Sequence, residues 1–392
     1  YWSVSKRQPK LCINAMIVCT DYRHSVALMK QNKQLIASDQ QLAQLTQAIK
    51  TWGKEFGFQE VAISDCELGE HKTHLDNWLA NDMAGEMDYM QRHKELRHHP
   101  EQLQEGAIRA ICVRMDYLPQ ATAAQVLVEQ PSKAYVSRYA LGRDYHKLIR
   151  GRLAKLAKKI EAAAGGNHRA FVDSAPILER ALAEKSGLGW IGKNTMLINK
   201  DAGSWFFLGE IYTSLPLPID QPTTAHCGSC NACIDICPTN AFTGPYQLDA
   251  KRCISYLTIE LKGSIPEEFR KPMGNHVFGC DDCQTICPWN KFAQHTTEDD
   301  FQPRHGLDSA EILSLFEWNE ETFLEKTAGS AIRRIGHQGW LRNLAIGLGN
   351  APFDIDIIKA LTTQLDHPSL VVQEHVSWAI AQQKAKADGW NI

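Results

Sequence analysis

The clustering of cysteines constrains this chain of 392 residues more than any other feature. Eight of its twelve cysteines lie in CGSCNACIDICP (227–238), in CDDCQTICP (280–288) and at Cys253. Disulfides are rare in the cytosol, where clustered thiolates instead indicate bound metal. We therefore expect a cytoplasmic protein with a metal centre. The remaining four cysteines are predicted to be plain apolar residues: Cys12, Cys19, Cys66 and Cys112.

The spacing of the first cysteine run favours iron–sulfur clusters over zinc. A structural zinc site takes four ligands, usually as two pairs. Cys-x2-Cys-x2-Cys-x3-Cys-Pro is instead a ferredoxin spacing, in which the fourth cysteine binds the other of two [4Fe–4S] clusters. Two clusters need eight thiolates, and Cys253 supplies the one that the second run lacks. Zinc, or a thiol cluster without metal, is the alternative.

The ferredoxin crossing rule predicts two sets of ligands. One set is Cys227, Cys230, Cys233 and Cys287, and the other is Cys237, Cys253, Cys280 and Cys283. Clusters that carry electrons need an acceptor, and no acceptor is visible in the cysteine region itself. We therefore expect the acceptor in the segment that precedes the cysteines.

That preceding segment alternates helical and strand patterns over roughly residues 40–220, which predicts an α+β or α/β fold. It contains neither G-x-G-x-x-G nor G-x-x-x-x-G-K-[ST], so a dinucleotide site or a P-loop is not expected. After the cysteines, successive amphipathic helices look like HEAT-type repeats. We predict a candidate disordered extension over 1–38, an α/β domain over 39–222, a ferredoxin-like domain over 223–295 and a HEAT-like helical domain over 296–392.

The charge of the whole chain indicates no particular binding partner, but the charge of two short stretches is informative. The formal net charge is −3, and no apolar run is long enough to span a membrane. Two stretches concentrate basic residues, either for phosphate binding or as solvated helix faces. They are the helix after Asp144 (Lys147, Arg150, Arg152, Lys155, Lys158 and Lys159) and AIRRIGHQGWLRN (Arg333, Arg334 and Arg342).

Two aspartates are candidates for catalysis. Asp144 opens the basic helix, where a helix N-cap is the simpler interpretation. Asp173, in VDSAP, follows a predicted strand, and the ends of strands in open α/β sheets often carry catalytic groups. A turn or a cap is the simpler interpretation there as well.

Six stretches together resemble the epoxyqueuosine reductases, cobalamin-dependent iron–sulfur enzymes of queuosine biosynthesis. They are SRYALGRDYHKLIR, FVDSAPILERALAEKSGLGWIGKNT, CGSCNACIDICPTNAF, RCISYLTIELKGSIPEEFR, GCDDCQTICPWN and GSAIRRIGHQGWLRNLAIGLGN. The resemblance implies a monomeric oxidoreductase that reduces epoxyqueuosine to queuosine at the wobble position of tRNA. Its cofactors would be cobalamin and two [4Fe–4S] clusters, and its electron donor a protein such as flavodoxin or ferredoxin.

The resemblance also implies site residues. Asp173 would donate a proton, with Asp144 and His146 in the same pocket, and we expect burial beside the corrin to raise the pKa of Asp173. Cobalamin contacts are expected at Ser137, Asp173, Lys193, Thr195, Ser255, Tyr256 and Gly279. DYHKLIRG lacks the Asp-x-His-x-x-Gly spacing, because Gly151 comes two residues late, so cobalamin without a protein histidine ligand is expected.

Two rival functions stay open at this point. A reductive dehalogenase-like cobalamin reductase acting on a small molecule would share the clusters and the cofactor. A ferredoxin-like electron carrier with a repeat-based tail for binding a partner would need no catalytic domain. The long α/β segment ahead of the cysteines disfavours the carrier.

Overall fold

The computed structural model describes residues 38–389. The extension predicted over 1–38, with Cys12 and Cys19, lies outside the described residues except for Ser38. Within the described range, no helix combines the length and the apolar character that crossing a membrane requires.

The first part of the chain surrounds one four-stranded sheet. Its helices are α1 (Asp39–Glu55), α2 (Glu70–Ala80), α3 (Asp88–Arg92), α4 (Lys94–His98), α5 (Pro100–Leu103), α6 (Ala124–Val128), α7 (Tyr145–Ala164) and α8 (Glu179–Lys185). Its strands are β1 (Glu60–Asp65), β2 (Arg109–Asp116), β3 (Tyr135–Val136), β4 (His168–Phe171), β5 (Trp190–Ile191), β6 (Leu197–Ile198) and β7 (Phe206–Thr213).

The sheet has the order β1-β2-β7-β4, and every neighbouring pair is antiparallel. Helices and strands are mixed as predicted, but the antiparallel pairing fits the α+β class and not a parallel α/β sheet. The argument for Asp173 from strand ends in open α/β sheets therefore loses its premise. Asp173 nevertheless follows the end of a strand, since β4 ends at Phe171.

Helices cover both faces of the sheet. On one face, Ile149 and Leu153 of α7 pack against Ile211 of β7, and α1 adds Ile49 to the same core. On the other face, Leu182 of α8 packs with Leu208 of β7 and other side chains of that face. Because side chains of a strand alternate between the faces, β7 supplies both cores and is buried along its whole length.

The predicted helix boundaries follow from end signals in the sequence. Ser38 and Gln41 form a capping box at the start of α1. Asp144 caps α7, and Gly165 ends it with φ 66°, a left-handed conformation that glycine adopts at little cost. The helix predicted after Asp144 is confirmed.

The cysteine region consists of short elements. They are α9 (Ala232–Asp235), β8 (Phe242–Gly244), β9 (Gln247–Leu248), α10 (Ile254–Ile259), α11 (Glu267–Arg270), β10 (His276–Phe278) and α12 (Asp282–Thr285). The C-terminal helices are α13 (Ile312–Phe316), α14 (Glu320–Lys326), α15 (Gly336–Asn350), α16 (Ile355–Thr362) and α17 (Leu370–Gly389). Short 3-10 helices span Arg138–Ala140, Ala250–Arg252, Pro288–Phe292, Asp299–Phe301 and Ala331–Ile335.

One hydrophobic core joins the cysteine region to the C-terminal helices. Ile254 and Phe278 share it with Trp340 of α15 and Val376 of α17. Arg342, 2% exposed, donates hydrogen bonds from α15 to the carbonyls of residues 257, 261 and 263. The core therefore continues across the predicted domain boundary at 295/296.

Candidate active site and cluster region

A cavity of about 2030 Å³ borders the α+β domain, the hairpin loop around Tyr246 and the C-terminal segment 329–334. Its wall includes Trp78 of α2, the start of α7 and the loop between β4 and α8. Typical pockets for small molecules measure about 300–1,000 Å³. This cavity is therefore large enough for a bulky ligand or for two ligands side by side.

Asp173 lies on the cavity wall in a strained conformation. Its φ of 32° is in the left-handed region, which is uncommon for residues other than glycine. The Tyr145 hydroxyl donates to Asp173 Oδ2 at 2.5 Å, and His146 Nε2 lies 3.2 Å from the same oxygen. Half of the side chain, 49%, is exposed, and it lines the cavity. The conformation presents the carboxylate to a ligand in that space.

His146 bridges two carboxylates. Its Nδ1 lies 2.6 Å from Asp144 Oδ1, and its Nε2 faces Asp173. Asp144 also accepts a hydrogen bond from the His146 backbone N–H at 2.9 Å, so the cap and the ring contact are made by one oxygen. The interpretation of Asp144 as an N-cap is confirmed, but the same carboxylate also orients the histidine.

Stacking fixes the His146 ring. The Tyr145 ring stacks on His146 with centroids 4.2 Å apart, and on Phe207 of β7 with centroids 3.8 Å apart. Such stacking holds the imidazole between its two carboxylates, so the site is organised before any ligand binds.

The protons of this site are distributed differently from the expectation. Burial lowers the pKa of His146, but hydrogen bonds to Asp144 and Asp173 outweigh it and raise the pKa to about 9. Burial raises the pKa of Asp173, but hydrogen bonds from His146 and Tyr145 outweigh it and lower the pKa below its ordinary value. The predicted rise in the pKa of Asp173 assumed burial beside the corrin, and it stays a prediction for that state. At neutral pH, the proton rests on the imidazole.

Glu179 is a site residue that the sequence analysis missed. It begins α8, lines the cavity, and accepts a hydrogen bond from the Asp173 backbone N–H at 3.2 Å. Burial and the charge of Asp173 raise its pKa to about 7, against the opposing charge of Arg180. An acidic residue in the first turn of an amphipathic helix is ordinary, so no sequence signal distinguished it.

The two cysteine runs have the same backbone geometry. Asn231 before α9 has φ −125° and ψ 10°, and Asp281 before α12 has φ −120° and ψ 10°. The two short helices pack against each other. The region is therefore an internal repeat, in which each run presents its cysteines on the same kind of turn.

The thiols fall into two groups of neighbours. Burial raises the pKa of Cys233 to about 11, and the next largest contributions come from Cys287, Cys227 and Cys230. Burial likewise raises the pKa of Cys283 well above its ordinary value, with Cys253 as the largest thiol contribution and smaller ones from Cys233 and Cys237. The crossed ligand sets require this grouping of thiols. The one exception is the proximity of Cys233 and Cys283, which belong to different sets. The sets themselves stay a prediction.

The residues predicted to contact cobalamin are divided between two places. Asp173 and Thr195 line the cavity. The other five are not among the described residues that line it: Ser137, Lys193, Ser255, Tyr256 and Gly279.

Most of these five lie around the cysteines. Lys193 Nζ donates to the Cys230 carbonyl at 2.9 Å, and Ser255 Oγ donates to the Cys280 carbonyl at 3.4 Å. Ser137 donates to Asp281, between Cys280 and Cys283, while Gly279 directly precedes Cys280. The Tyr256 hydroxyl accepts from the Glu86 backbone N–H at 2.7 Å. Their roles toward a cofactor stay predictions.

The basic residues at the cavity include some of the predicted ones and three others. Lys147, Arg333 and Arg334 line it, together with Arg97, Arg143 and Arg180. Other basic residues of α7 are engaged elsewhere: Arg152 pairs with Glu298 and Lys159 with Glu55. Arg342 is buried in the C-terminal core, so its predicted contact with phosphate was wrong.

Comparison with known proteins gives consistent matches. Residues 97–174 match the family model described as "Epoxyqueuosine reductase QueG, DUF1730", and residues 226–290 match "4Fe-4S double cluster binding domain". Epoxyqueuosine reductase of Pseudomonas aeruginosa is 59% identical over 340 residues, covering 86% of this chain and 94% of that protein. The enzyme of Escherichia coli is 57% identical over 344 residues, covering 87% and 90%.

Solved structures agree with the sequence matches. A crystal structure of epoxyqueuosine reductase with an epoxyqueuosine-modified tRNA-Tyr stem loop has a TM-score of 0.80 at 28% identity, covering 89% of this chain and 93% of that chain. The structure of epoxyqueuosine reductase from Streptococcus thermophilus has a TM-score of 0.76 at 25% identity, covering 88% and 99%.

Proposed function

Because this chain belongs to the epoxyqueuosine reductase family, we propose that it reduces epoxyqueuosine to queuosine at the wobble position of tRNA. The geometric observation that carries this proposal lies on the wall of the large cavity. There, His146 bridges the carboxylates of Asp144 and Asp173. In the reaction, the epoxide takes up two electrons and two protons. Both C–O bonds break, a C=C bond forms and the oxygen leaves as water.

The cysteine region supplies the electrons. Its match to the double-cluster domain supports two [4Fe–4S] clusters, and we assign the ligands by the crossing rule. One cluster is held by Cys227, Cys230, Cys233 and Cys287, and the other by Cys237, Cys253, Cys280 and Cys283. Backbone N–H groups contact thiol sulfurs here, as from Ala241 to Cys237 Sγ at 3.3 Å. Such contacts tune the reduction potential of a cluster.

Cobalamin is proposed as the resident cofactor, and the residues present fit it. Arg138 is 3% exposed, and none of its three guanidinium nitrogens has a hydrogen-bond partner within residues 38–389. Arg138 is not among the described residues that line the large cavity, so the fit rests on the size of that cavity, about 2030 Å³, which exceeds that of typical small-molecule pockets. We assign its contacts to the seven residues that the resemblance implies, of which Asp173 and Thr195 line the cavity. When bound, cobalamin supplies a reducible cobalt centre for the epoxide carbon.

The chain's own residues handle the protons. His146 is protonated at neutral pH and hydrogen-bonded to ionised Asp173. An alkoxide that develops at the opening epoxide is a far stronger base than a carboxylate. Asp173 first takes the proton from His146 and then donates it to the alkoxide, which leaves His146 neutral and Asp173 ionised again. Asp144 holds the ring in the orientation that this transfer needs.

The cavity rim offers a surface for tRNA. Arg143, Lys147, Arg333 and Arg334 carry positive charge where phosphates of a stem loop would lie. Glu260 Oε1 lies 2.9 Å from Arg334, which holds that guanidinium at the rim. A splayed loop base can enter the cavity at lower cost than a base in a duplex.

Several further assignments belong to this proposal. The C-terminal helices α15 to α17 are proposed as a HEAT-like module behind the rim, and the four predicted segments are kept as the domain scheme. A low-potential protein such as flavodoxin or ferredoxin is proposed as the electron donor of a monomeric enzyme. A cytoplasmic location stays a prediction from cysteine usage.

Anaerobic turnover tests the proposal. Protein with verified iron and cobalamin content is incubated with reductant and epoxyqueuosine-containing tRNA, and the nucleosides are analysed by mass spectrometry. Conversion to queuosine is expected, and protein without cobalamin serves as the control. Absence of queuosine with both cofactors verified contradicts the proposal. Turnover of a small halogenated molecule in place of tRNA would favour the reductive dehalogenase-like alternative.

A further inference from the structure

The two cysteine runs share one backbone geometry but carry different charges at one position. Asn231 follows Cys230 in the first run, and Asp281 follows Cys280 in the second. Both residues have nearly the same φ and ψ. We propose that the buried carboxylate of Asp281 lowers the reduction potential of the cluster beside it and so separates the potentials of the two clusters. This inference rests on the ligand sets and the function proposed above.

The two clusters differ in their access to solvent. The outer cluster is that of Cys227, Cys230, Cys233 and Cys287, and the inner cluster is that of Cys237, Cys253, Cys280 and Cys283. Cys230 is exposed, whereas none of the inner ligands is. Cys253 and Cys280 pack against the core that the cysteine region shares with the C-terminal helices. Position 231 lies between two outer ligands, and position 281 lies between two inner ones.

The hydrogen bonds of Asp281 are those of an ionised carboxylate. The side chain is buried, and its Oδ2 accepts from the Tyr135 hydroxyl at 3.0 Å and from the Arg138 backbone N–H at 2.8 Å. Its Oδ1 accepts from the Ser137 hydroxyl. A carboxylate only accepts, whereas a protonated carboxyl group would need an acceptor of its own. Burial raises the pKa of Asp281, and these three donors oppose that rise.

This carboxylate acts on the inner ligands at short range. Asp281 directly follows Cys280, and its charge contributes to the raised pKa of Cys283, after burial and Cys253. Reduction adds negative charge to a cluster that is already bound by four thiolates, so a nearby anion disfavours reduction. Because Asp281 is buried, water and salt screen its charge only weakly.

The other charges near the inner ligands do not cancel this effect. Arg138 is buried with its guanidinium carbon 5.1 Å from the centroid of the Tyr135 ring, and only its backbone N–H binds Asp281. Its charge is not among the leading contributions to the pKa of Cys280 or Cys283. Asp282 lies 3.0 Å from His276, and this pair adds little net charge.

The equivalent position of the outer run has no anion. Asn231 is exposed, and its side-chain oxygen accepts a hydrogen bond from Lys193 Nζ at 2.9 Å. Lys193 also donates to the Cys230 carbonyl, so a cation lies beside the outer ligands. Asp235, in the same run, is exposed, and solvent screens its charge. The inner cluster should therefore have the lower potential.

A lower potential makes the inner cluster the stronger reductant. The predicted cobalamin contacts Ser137, Ser255 and Gly279 lie around its ligands, so the stronger reductant would be beside the cofactor. An external low-potential donor gives one electron at a time to the outer cluster, which passes it to the inner cluster. That transfer is uphill, and consumption of the electron in the reaction draws it forward.

A redox titration followed by electron paramagnetic resonance tests the proposal. The protein with both clusters bound, without tRNA, should show two midpoint potentials, and Cys253→Ala should remove the lower one. In Asp281→Asn, the equilibrium constant for reduction of the inner cluster should rise at least about tenfold, which for one electron is about 59 mV. The upper potential should not move. The matched control Asp235→Asn removes an exposed aspartate from the outer run and should leave both potentials unchanged.

A second variant decides the case in which Asp281→Asn binds no inner cluster. Asn231→Asp puts a carboxylate on the same turn of the outer run and should lower the upper potential, by less than about tenfold because the position is exposed. An unmoved upper potential in Asn231→Asp refutes the proposal. So does an unmoved lower potential in Asp281→Asn with both clusters bound, or movement of the potential that Cys253→Ala retains. Because the titration needs no tRNA, failure of turnover contradicts only the proposed function.

Discussion

Replacing Asp173 with Asn is the most direct perturbation of the site. The amide is nearly the same size as the carboxylate, so the Tyr145 hydroxyl and the His146 ring keep a polar neighbour. The clusters are bound by thiolates from other segments and should be retained. The substitution removes a group that passes a proton to the substrate oxygen. It also removes one of the two negative charges that face His146.

Two magnitudes follow from the structure. A positioned general acid contributes about 10²–10⁴-fold, so turnover should fall by at least about 10²-fold. The pKa of His146 is raised from 6.5 to about 9 by two carboxylates. If each contributes comparably, loss of one should lower that pKa by roughly one unit, equivalent to about 1.4 kcal/mol.

The assay combines kinetics with NMR. Single-turnover formation of queuosine is measured in both proteins with iron, cobalamin and tRNA affinity quantified, and the His146 ring signals are followed against pH. The matched control is Asp366→Asn, which changes an exposed aspartate. Full turnover in Asp173→Asn, or an unchanged pKa of His146, would refute the reasoning. The proton donor would then have to be sought at Asp144 or His146.

Three further predictions concern other parts of the molecule. Cys253→Ala should lose one cluster, so iron should drop from about eight to about four per chain; iron near eight would contradict the crossed ligand sets. Charge reversal of Arg333 and Arg334 to Glu should weaken tRNA binding and flatten the dependence of the binding constant on salt concentration. The control Lys384→Glu, on the exposed side of α17, should change neither. An unchanged salt dependence in the double variant would exclude the cavity rim as a tRNA-binding surface. His375 is buried and its pKa is lowered to about 4, chiefly by burial, so its neutral form stabilises the fold above pH 6.5. That contribution, about 3 kcal/mol, should be lost as the pH falls from 6.5 towards 4, and His375→Gln should flatten the urea midpoint against pH in this range.

The cluster region was the most predictable part of the molecule. Seven of the eight clustered cysteines lie in two short runs whose spacing matches that of a ligand set, so counting them with Cys253 indicated two clusters. Cys253 was assigned as the outlying ligand because it was the one remaining cysteine nearby, and that assignment stays a prediction. The positions of α1 and α7 were also predictable, since Ser38, Asp144 and Gly165 are end signals that act within one turn.

Strand direction was not predictable in the same way. Alternating helices and strands left the α+β and α/β classes open, and the antiparallel pairing of β1, β2, β7 and β4 decided between them. A local sequence pattern predicts which residues face a core, but it does not predict which strands are neighbours in the sheet. Arg342 shows the same limit, because a basic residue on an amphipathic helix was expected on the surface and instead binds three carbonyls in the core.

The sequence by itself determined which chemical groups this protein has and where along the chain they can act: thiolates at ferredoxin spacing, and an aspartate and a histidine at a helix start. Only the tertiary structure decided their state. It brought His146 between Asp144 and Asp173, which put the proton on the imidazole and left Asp173 ionised. It also brought Glu179 to the backbone N–H of Asp173. The physical reason is that the free energy of a charge depends on burial and on partners a few ångströms away, and folding brings those partners from distant parts of the chain.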